Sequence, residues 1–383
     1  MTLSRPEHSP LGASGAERWM RCPGSVTLLK HLQLPESDDP SYRKEGTAMH
    51  AAAEHCLSND VDTWEITGQE FEGVVIDVAM AASVQVYVDY CRPLMEGALR
   101  YHIEYPVSSP VHPLFYGRLD FAAEQPDLIH IVDLKGGEGI QVDPDDNPQL
   151  KYYAFGLIDA NPQWPDDLGV RLTIGQPRIH WAVGGMVRSW DTTVGAIRQW
   201  VAETLVPAML ATEYDHTLDA GPWCRFCPAK LVCPLLTSLF GAAAKSNPKE
   251  IVNLSDVSLG RSYQYLQGVE FYVKAMKSET LRRLNSAHEV PGTKLVNKKA
   301  DRVWKEGADD LARAKFGDAV MEPPKFKGPP AIEKLPGGKD FVREFAYTPT
   351  TGVTVALESD PRIAVKVQTS TEAFAGAVAA LED

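Results

Sequence analysis

With 383 residues, 44% of them hydrophobic and 23% charged, the chain has the composition of a globular protein and the length for a main domain plus an appendage. No apolar run approaches the roughly 20 residues that cross a bilayer, and the start lacks the basic-then-apolar pattern of a secretory signal; both features predict a cytoplasmic protein with reduced thiols and no membrane partner. A formal net charge of −13 counts against nucleic-acid binding spread over the whole surface, although a local basic groove remains compatible with it because charges more than about 8 Å apart are screened.

Ser14, with Glu17 three residues on, reads as a capping box that opens a short helix through Trp19 and Met20 to the turn at Cys22-Pro23-Gly24. Leu28, Leu29 and Leu32 continue as helix, before a loop rich in Pro, Ser and Asp over 35–41. Gly46-Thr47 opens or lies within an alanine-rich helix through Cys56, on which His50 and Glu54 share a face. Apolar spacing over 77–100 predicts a packing helix ended or kinked at Arg92-Pro93; Cys56 and Cys91 read as buried free thiols. Strands are expected over 101–107, 115–123 and 128–134, the last two joined by the turn Glu124-Gln125-Pro126-Asp127. A polar loop with Asp143-Pro144-Asp145-Asp146 leads to a helix from Pro148 to about Asp159. Another strand is expected at 171–174 or 178–183, then a long helix over 193–210. Beyond Pro248 a helix of roughly 25–30 residues carries Leu259, Tyr263, Leu266, Val269, Val273, Met276 and Leu284 on one stripe. Lys274, Lys277, Lys298, Lys299 and Arg302 form a basic stretch that suits a DNA backbone and equally suits a solvated helix face. Residues 306–383 mix short helical pieces with Pro/Gly-rich links.

Two groups of residues carry chemistry. Asp120 and Asp133 each end a strand, and Lys135 follows the second acid by two positions. Mg²⁺ prefers carboxylates, water and phosphate oxygens; the two aspartates supply the carboxylates, and the backbone carbonyl of Leu134 and the ring of His50 could complete the set. Lys135 has two candidate jobs, general base or phosphate clamp. Beside two carboxylates an ammonium is favoured, which points to positioning water and stabilising developing charge. Taken alone, Asp-x-Lys is as well explained by surface salt bridges. The second group, Cys224-x2-Cys227-x5-Cys233, is one ligand short of four, and Cys22, in a comparable Cys-Pro setting, is the best candidate for the fourth. An iron–sulfur cluster and zinc compete for it, with purely structural thiols less favoured.

In order, Cys22, Gly46-Thr-x-x-His50, Gly117-x-x-Asp120, Asp133-x-Lys135, Gln149-x-x-x-Tyr153 and the three-cysteine group resemble the RecB-type PD-(D/E)XK nucleases that carry an iron–sulfur cluster, the AddB and CRISPR-adaptation nuclease type, and within them a phage and prophage family. Each motif alone is weak; six in the family's order, over about residues 10–236, are specific. The resemblance implies an α/β fold: a restriction-endonuclease-like core, with a mixed central sheet flanked by helices, N-terminal helices and a C-terminal helical appendage, divided as 1–240 and 241–383. It implies Mg²⁺ or Mn²⁺ on His50, Asp120, Asp133 and the Leu134 carbonyl, and a [4Fe–4S] cluster on Cys22, Cys224, Cys227 and Cys233. Asp120, Asp133, Lys135, Gln149 and Tyr153 would form the catalytic set, with Gln149 and Tyr153 facing DNA. The implied activity is a DNA exonuclease for phage recombination or end-processing in a bacterial host cytoplasm, with a single-strand annealing protein as partner and an oligomer admissible. Leu119 replaces the family's proline, and the second acid is Asp rather than Glu. Two other classes compete: a non-cleaving DNA-end-binding or assembly protein on the same fold, favoured by the acidic balance, and a zinc-stapled interaction protein.

Overall fold

The computed structural model describes residues 8–31, 40–137, 139–179, 184–245, 254–286 and 288–293. Contacts divide the chain into Met1–Leu295 and Val296–Asp383, and every described residue lies in the first. Lys298, Lys299, Arg302 and the stretch 306–383 lie outside the described residues.

The chain enters through a 3-10 turn, Ala13–Gly15, into helices α1 (Ala16–Arg21) and α2 (Gly24–His31). Gly15 precedes α1 without a side-chain cap and Ser14 sits inside the turn, so the expected capping box is not made. Helix α3 (Pro40–Asn59) leads through a small hairpin, β1 (Glu70–Phe71) and β2 (Val74–Val75), to α4 (Val78–Glu96). Asp77 caps α4 by accepting the Met80 N–H at 2.7 Å. Pro93 falls in the last turn of α4, where the backbone bond it removes is close to fraying anyway, and the helix runs on past it.

Five strands follow in spatial order β3 (Arg100–Ser108), β4 (Tyr116–Glu124), β5 (Leu128–Leu134), β6 (Gly169–Gly175) and β7 (Val187–Thr193). All neighbours are antiparallel except β5 and β6, which run parallel. A parallel pair needs a crossover, and α5 (Pro148–Ala160) provides it. The sheet is therefore mixed and flanked on both sides: α1, α5, α6 (Val194–Trp200) and α7 (Val206–Tyr214) share one core with Leu119, Ile129, Ile131, Leu172 and Ile174. Helices α3 and α4 share the other with Phe121, Ala123, Val132 and Leu134. Helix α5 lies so near β3 that a Cβ on Gly156 would come within 2.5 Å of Val107 Cβ; glycine there is what lets the helix settle on the strand.

The long helix expected over 193–210 is α6 and α7 joined by a π turn, Val201–Leu205, just before Pro207, whose missing N–H breaks the regular ladder. Strand β7 escaped the sequence reading because an edge strand with Arg188, Ser189 and Asp191 reads as polar loop. Helices α8 (Pro234–Lys245) and α9 (Asp256–Asn285) close the described unit around Ala220, Cys224, Cys233, Leu236 and Tyr272. The buried side of α9 is Gly268, Tyr272 and Ala275, while Leu259, Leu266 and Met276 of the expected stripe are exposed. Periodicity located the helix; the small residues, which permit close approach, chose its face.

Candidate metal centre

Strand register sets three acids in one row. The pairings Ile103↔Phe121 and Tyr105↔Leu119 place Glu104 across from Asp120, and Phe121↔Val132 places Asp120 across from Asp133 where β4 and β5 part. Strands are spaced by about 4.7–4.9 Å, so the row holds three carboxyl-bearing positions on three adjacent strands. Side-chain alternation breaks here. Val107 and Leu119 pack on the α5 face whereas Ile103 and Phe121 pack with α3 and α4, although each pair is an even number of residues apart. The break coincides with Glu104, whose φ of +45° is left-handed. A non-glycine residue held there stores roughly 1–3 kcal/mol of strain, a cost that tends to survive where function fixes the side chain. Glu104→Gly is therefore expected to be about 1 kcal/mol more stable than Glu104→Ala in denaturant titration, reversing the usual order of these two residues, since both lose the carboxylate and only alanine retains a Cβ at that φ.

Helix α3 delivers His50 to this row. Its Nδ1 lies 3.4 Å from Asp120 Oδ1 and 3.6 Å from Glu104 Oε1, and the ligand atoms of His50, Glu104 and Asp120 all fall within 4.8 Å of one another. The sequence reading missed Glu104; it was the sole acid in the strand expected over 101–107, and only the hairpin register identifies it. The other oxygen of Asp120, Oδ2, accepts the Leu134 N–H at 2.7 Å.

Asp133 approaches from the α5 side and is 2% exposed. Its Oδ1 accepts from Gln149 Nε2 at 2.9 Å. Its Oδ2 lies 2.8 Å from Lys135 Nζ in a buried ion pair. The same ammonium donates to Gln149 Oε1 at 2.8 Å, so Gln149 bridges Asp133 and Lys135 with its amide orientation fixed. Asn147 caps α5 by accepting the N–H groups of Gln149 (3.0 Å) and Leu150 (3.3 Å), which anchors the turn that carries Gln149. Tyr153, expected to face DNA, is only 8% exposed and belongs to the core one turn behind Gln149. It supports that side chain from within.

The electrostatics show a surplus of negative charge. Burial alone would depress the His50 pKa, but Asp120, Glu104 and Asp133 outweigh it and lift the imidazole to about 10. Burial pushes Asp120 up, yet His50, Lys135 and the Leu134 N–H prevail and hold it below the usual carboxylate range. Asp133 is pushed up to about 6, by burial first, with Lys135 opposing and Asp120 adding. Burial also raises Glu104, and Asp120 and Glu54 add to it. A row of oxygen donors with one imidazole is the ligand chemistry of Mg²⁺ and Mn²⁺, and the proton on His50 sits where a cation would relieve the same repulsion.

The second group is built across the ends of the core. Cys22, Cys224, Cys227 and Cys233 are all buried and reduced. Asp219 touches two of them: its N–H donates to Cys22 Sγ at 3.3 Å, and Cys224 Sγ donates weakly to its carbonyl at 4.0 Å. The Gly24 N–H donates to the Thr217 carbonyl at 2.9 Å, and a Cβ on Gly24 would lie 2.2 Å from the His216 carbonyl oxygen, so glycine is required for α2 to seat against 216–219. The Cys224 thiol is pushed up to about 12, by burial first, with the Gly221 backbone opposing and Cys227, Cys22 and Cys233 adding. Arg18, which donates to Ser25 Oγ at 2.7 Å, offsets part of the rise at Cys227. Among the described residues the side chains that gather closely enough to hold a metal ion are those of His50, Glu104 and Asp120, and the four sulfurs do not form such a group. Cys56 and Cys91 are buried in the α3–α4 core, as expected of free thiols. Lys274 and Lys277 are exposed on α9, the helix that packs beside Cys224 and Leu236.

Residues 8–363 match the model of a family described as "Protein of unknown function (DUF2800)".

Proposed function

The chain belongs to the DUF2800 family, and we propose that it is a divalent-metal-dependent deoxyribonuclease built on a restriction-endonuclease-like core. What carries this reading is the single row of Glu104, Asp120 and Asp133, with His50 on one side and Lys135 on the other. A divalent cation held by the carboxylates and His50 would supply a Lewis acid for the scissile phosphate and a bound water of lowered pKa. Asp120 is fixed for that duty by the Leu134 N–H, and Asp133 by Gln149. Lys135, gripped by Gln149 and paired with Asp133, presents its ammonium to the phosphate and offsets charge that grows on the phosphoryl oxygens. The parallel β5–α5–β6 crossover next to two antiparallel strands supports the nuclease-type core.

Cys22, Cys224, Cys227 and Cys233 suit a [4Fe–4S] cluster: four buried thiols with a guanidinium nearby match a cluster whose thiolates leave a net negative charge. Action at DNA ends, a role in phage recombination and a single-strand annealing partner rest on the sequence resemblance. Linear and covalently closed circular DNA incubated with purified protein and Mn²⁺ or Mg²⁺ test the reading. The expected result is loss of linear DNA with wild type and none with Asp120→Asn. Equal persistence of DNA with both proteins in either metal would overturn it and favour an end-binding protein.

A further inference from the structure

We propose that Arg118 forms a phosphate subsite beside the metal centre, where it binds a DNA phosphate next to the scissile one. This rests on the nuclease reading above for its ligand, and half of its test is binding without metal. Backbone geometry places the residue. Strands β3 and β4 stay paired out to Ser108↔Tyr116, whereas the β4–β5 pairing stops at Phe121↔Val132. The β3–β4 hairpin therefore runs on past the carboxylate row, and Arg118 lies on this extension, across from Pro106. Its two neighbours settle which face it takes. A Cβ on Gly117 would meet the Tyr153 ring at 3.6 Å, and Leu119 packs in the α5 core. Strand residues alternate, so Arg118 takes the opposite side, the one from which α3 brings His50 to Asp120. Two residues of strand advance about 6.6–6.8 Å, which puts Arg118 one step beyond Asp120.

Charge identifies the ligand. The chain carries 38 Lys+Arg against 51 Asp+Glu, and Glu54, Glu104, Asp120 and Asp133 make the centre itself acidic. A DNA strand that lays one phosphate on this row brings its neighbours up to the same acids. Lys135 is already engaged by Asp133 and Gln149, so those neighbours need another cation. Arg92, Arg171, Arg178 and Arg198 are each held in an ion pair with a carboxylate. Arg118 is exposed and makes no ion pair among the described residues. Nor does it fold back into the row, since the cations that act most on Asp120 are His50 and Lys135. A guanidinium fork held out at this point fits phosphate oxygens bidentately. The competing account is a solvated arginine on a hairpin, whose loss alters neither DNA affinity nor its salt dependence.

Two measurements on full-length protein separate these accounts. The first is cleavage, in Mn²⁺, of linear DNA and of thymidine 5′-p-nitrophenyl phosphate, a diester with no second phosphate. For Arg118→Ala the ratio of kcat/KM on DNA to that on the small diester should fall about tenfold, through KM, and Arg118→Lys should recover part of it. The second is DNA affinity in chelator, by fluorescence anisotropy across a salt series. There Arg118→Ala should bind about tenfold more weakly, with a salt slope lower by about one. An unchanged ratio, which includes an equal loss on both substrates, overturns the subsite, and so does an unchanged salt slope. Should wild type leave either substrate uncut, the salt slope decides alone. A wild type that binds DNA through Arg118 without cleaving it refutes the nuclease reading alone. Cleavage and binding of DNA that ignore Arg118→Ala refute the subsite alone.

Discussion

Asp133→Asn is expected to lower the rate of DNA cleavage by on the order of a thousandfold while making the metal-free protein more stable at neutral pH. The rate loss follows from removing a cation ligand and the partner of Lys135, an effect of several kcal/mol in the transition state, where each 1.36 kcal/mol is about tenfold. The stability gain follows from the field around the carboxylate. Burial raises its pKa from 3.8 to about 6 even with Lys135 opposing, so the folded chain holds this proton more tightly than the unfolded one does. Stability from this group is complete below about 3.8 and is lost as pH rises through about 6. At pH 7.5 the ionised carboxylate therefore works against the fold, and an uncharged amide of the same shape should recover about 1–3 kcal/mol. Urea titrations in chelator at pH 5 and pH 7.5 measure it: wild type should lose stability between the two, and the variant should change less. An Asp133→Asn protein less stable than wild type at pH 7.5 would mean that the Lys135 pair outweighs burial.

The parts of this centre differ in how openly the sequence displays them. Asp133 and Lys135 end a strand whose apolar run from Leu128 to Leu134 is legible because a buried central strand must be apolar almost throughout. Gln149 is legible because Asn147-Pro148 is a helix start with a physical mechanism, a side-chain cap followed by a residue with no N–H to satisfy. Glu104 is not. Its place depends on which residue of β3 meets Asp120, and the left-handed turn that aims it leaves no local signature in Ile103-Glu104-Tyr105. The failed Ser14–Glu17 box errs the other way: Ser-x-x-Glu is common, and the glycines at 12 and 15 let a tighter turn form first. Tyr153 lies on the expected helix with its ring in the core. Periodicity places it on α5 but does not say that the core, rather than solvent, lies on that side.

Cys22→Ser is expected to have the other large effect, on the whole described unit rather than on the rate alone. Cys22 follows α1, whereas Cys224, Cys227 and Cys233 follow α7, so a metal group bound to all four ties the two ends of the core together. Among the described residues the hydrogen bonds across this junction include the Asp219 N–H on Cys22 Sγ, the Gly24 N–H on the Thr217 carbonyl and the Thr27 hydroxyl with His216 Nδ1, and Leu28 packs against Cys224 and Leu236. Closing so long a loop with a strong link should contribute about 3–5 kcal/mol, as covalent and metal staples of comparable span do. Protein purified without oxygen should be brown with a broad visible absorbance, and Cys22→Ser should lose both the colour and that stability, with new protease cleavage near residues 22–31. Cys56→Ser is the matched control, because Cys56 is equally buried but lies in the α3–α4 core. It should keep the colour and show only the cost of placing a hydroxyl among apolar side chains. A colourless protein that carries one zinc per chain, lost in Cys22→Ser, would retain the staple and replace the iron–sulfur cluster. Retention of colour and stability by Cys22→Ser would remove Cys22 from the ligand set and leave the N-terminal helices held by the shared hydrophobic core and the hydrogen bonds to 216–219.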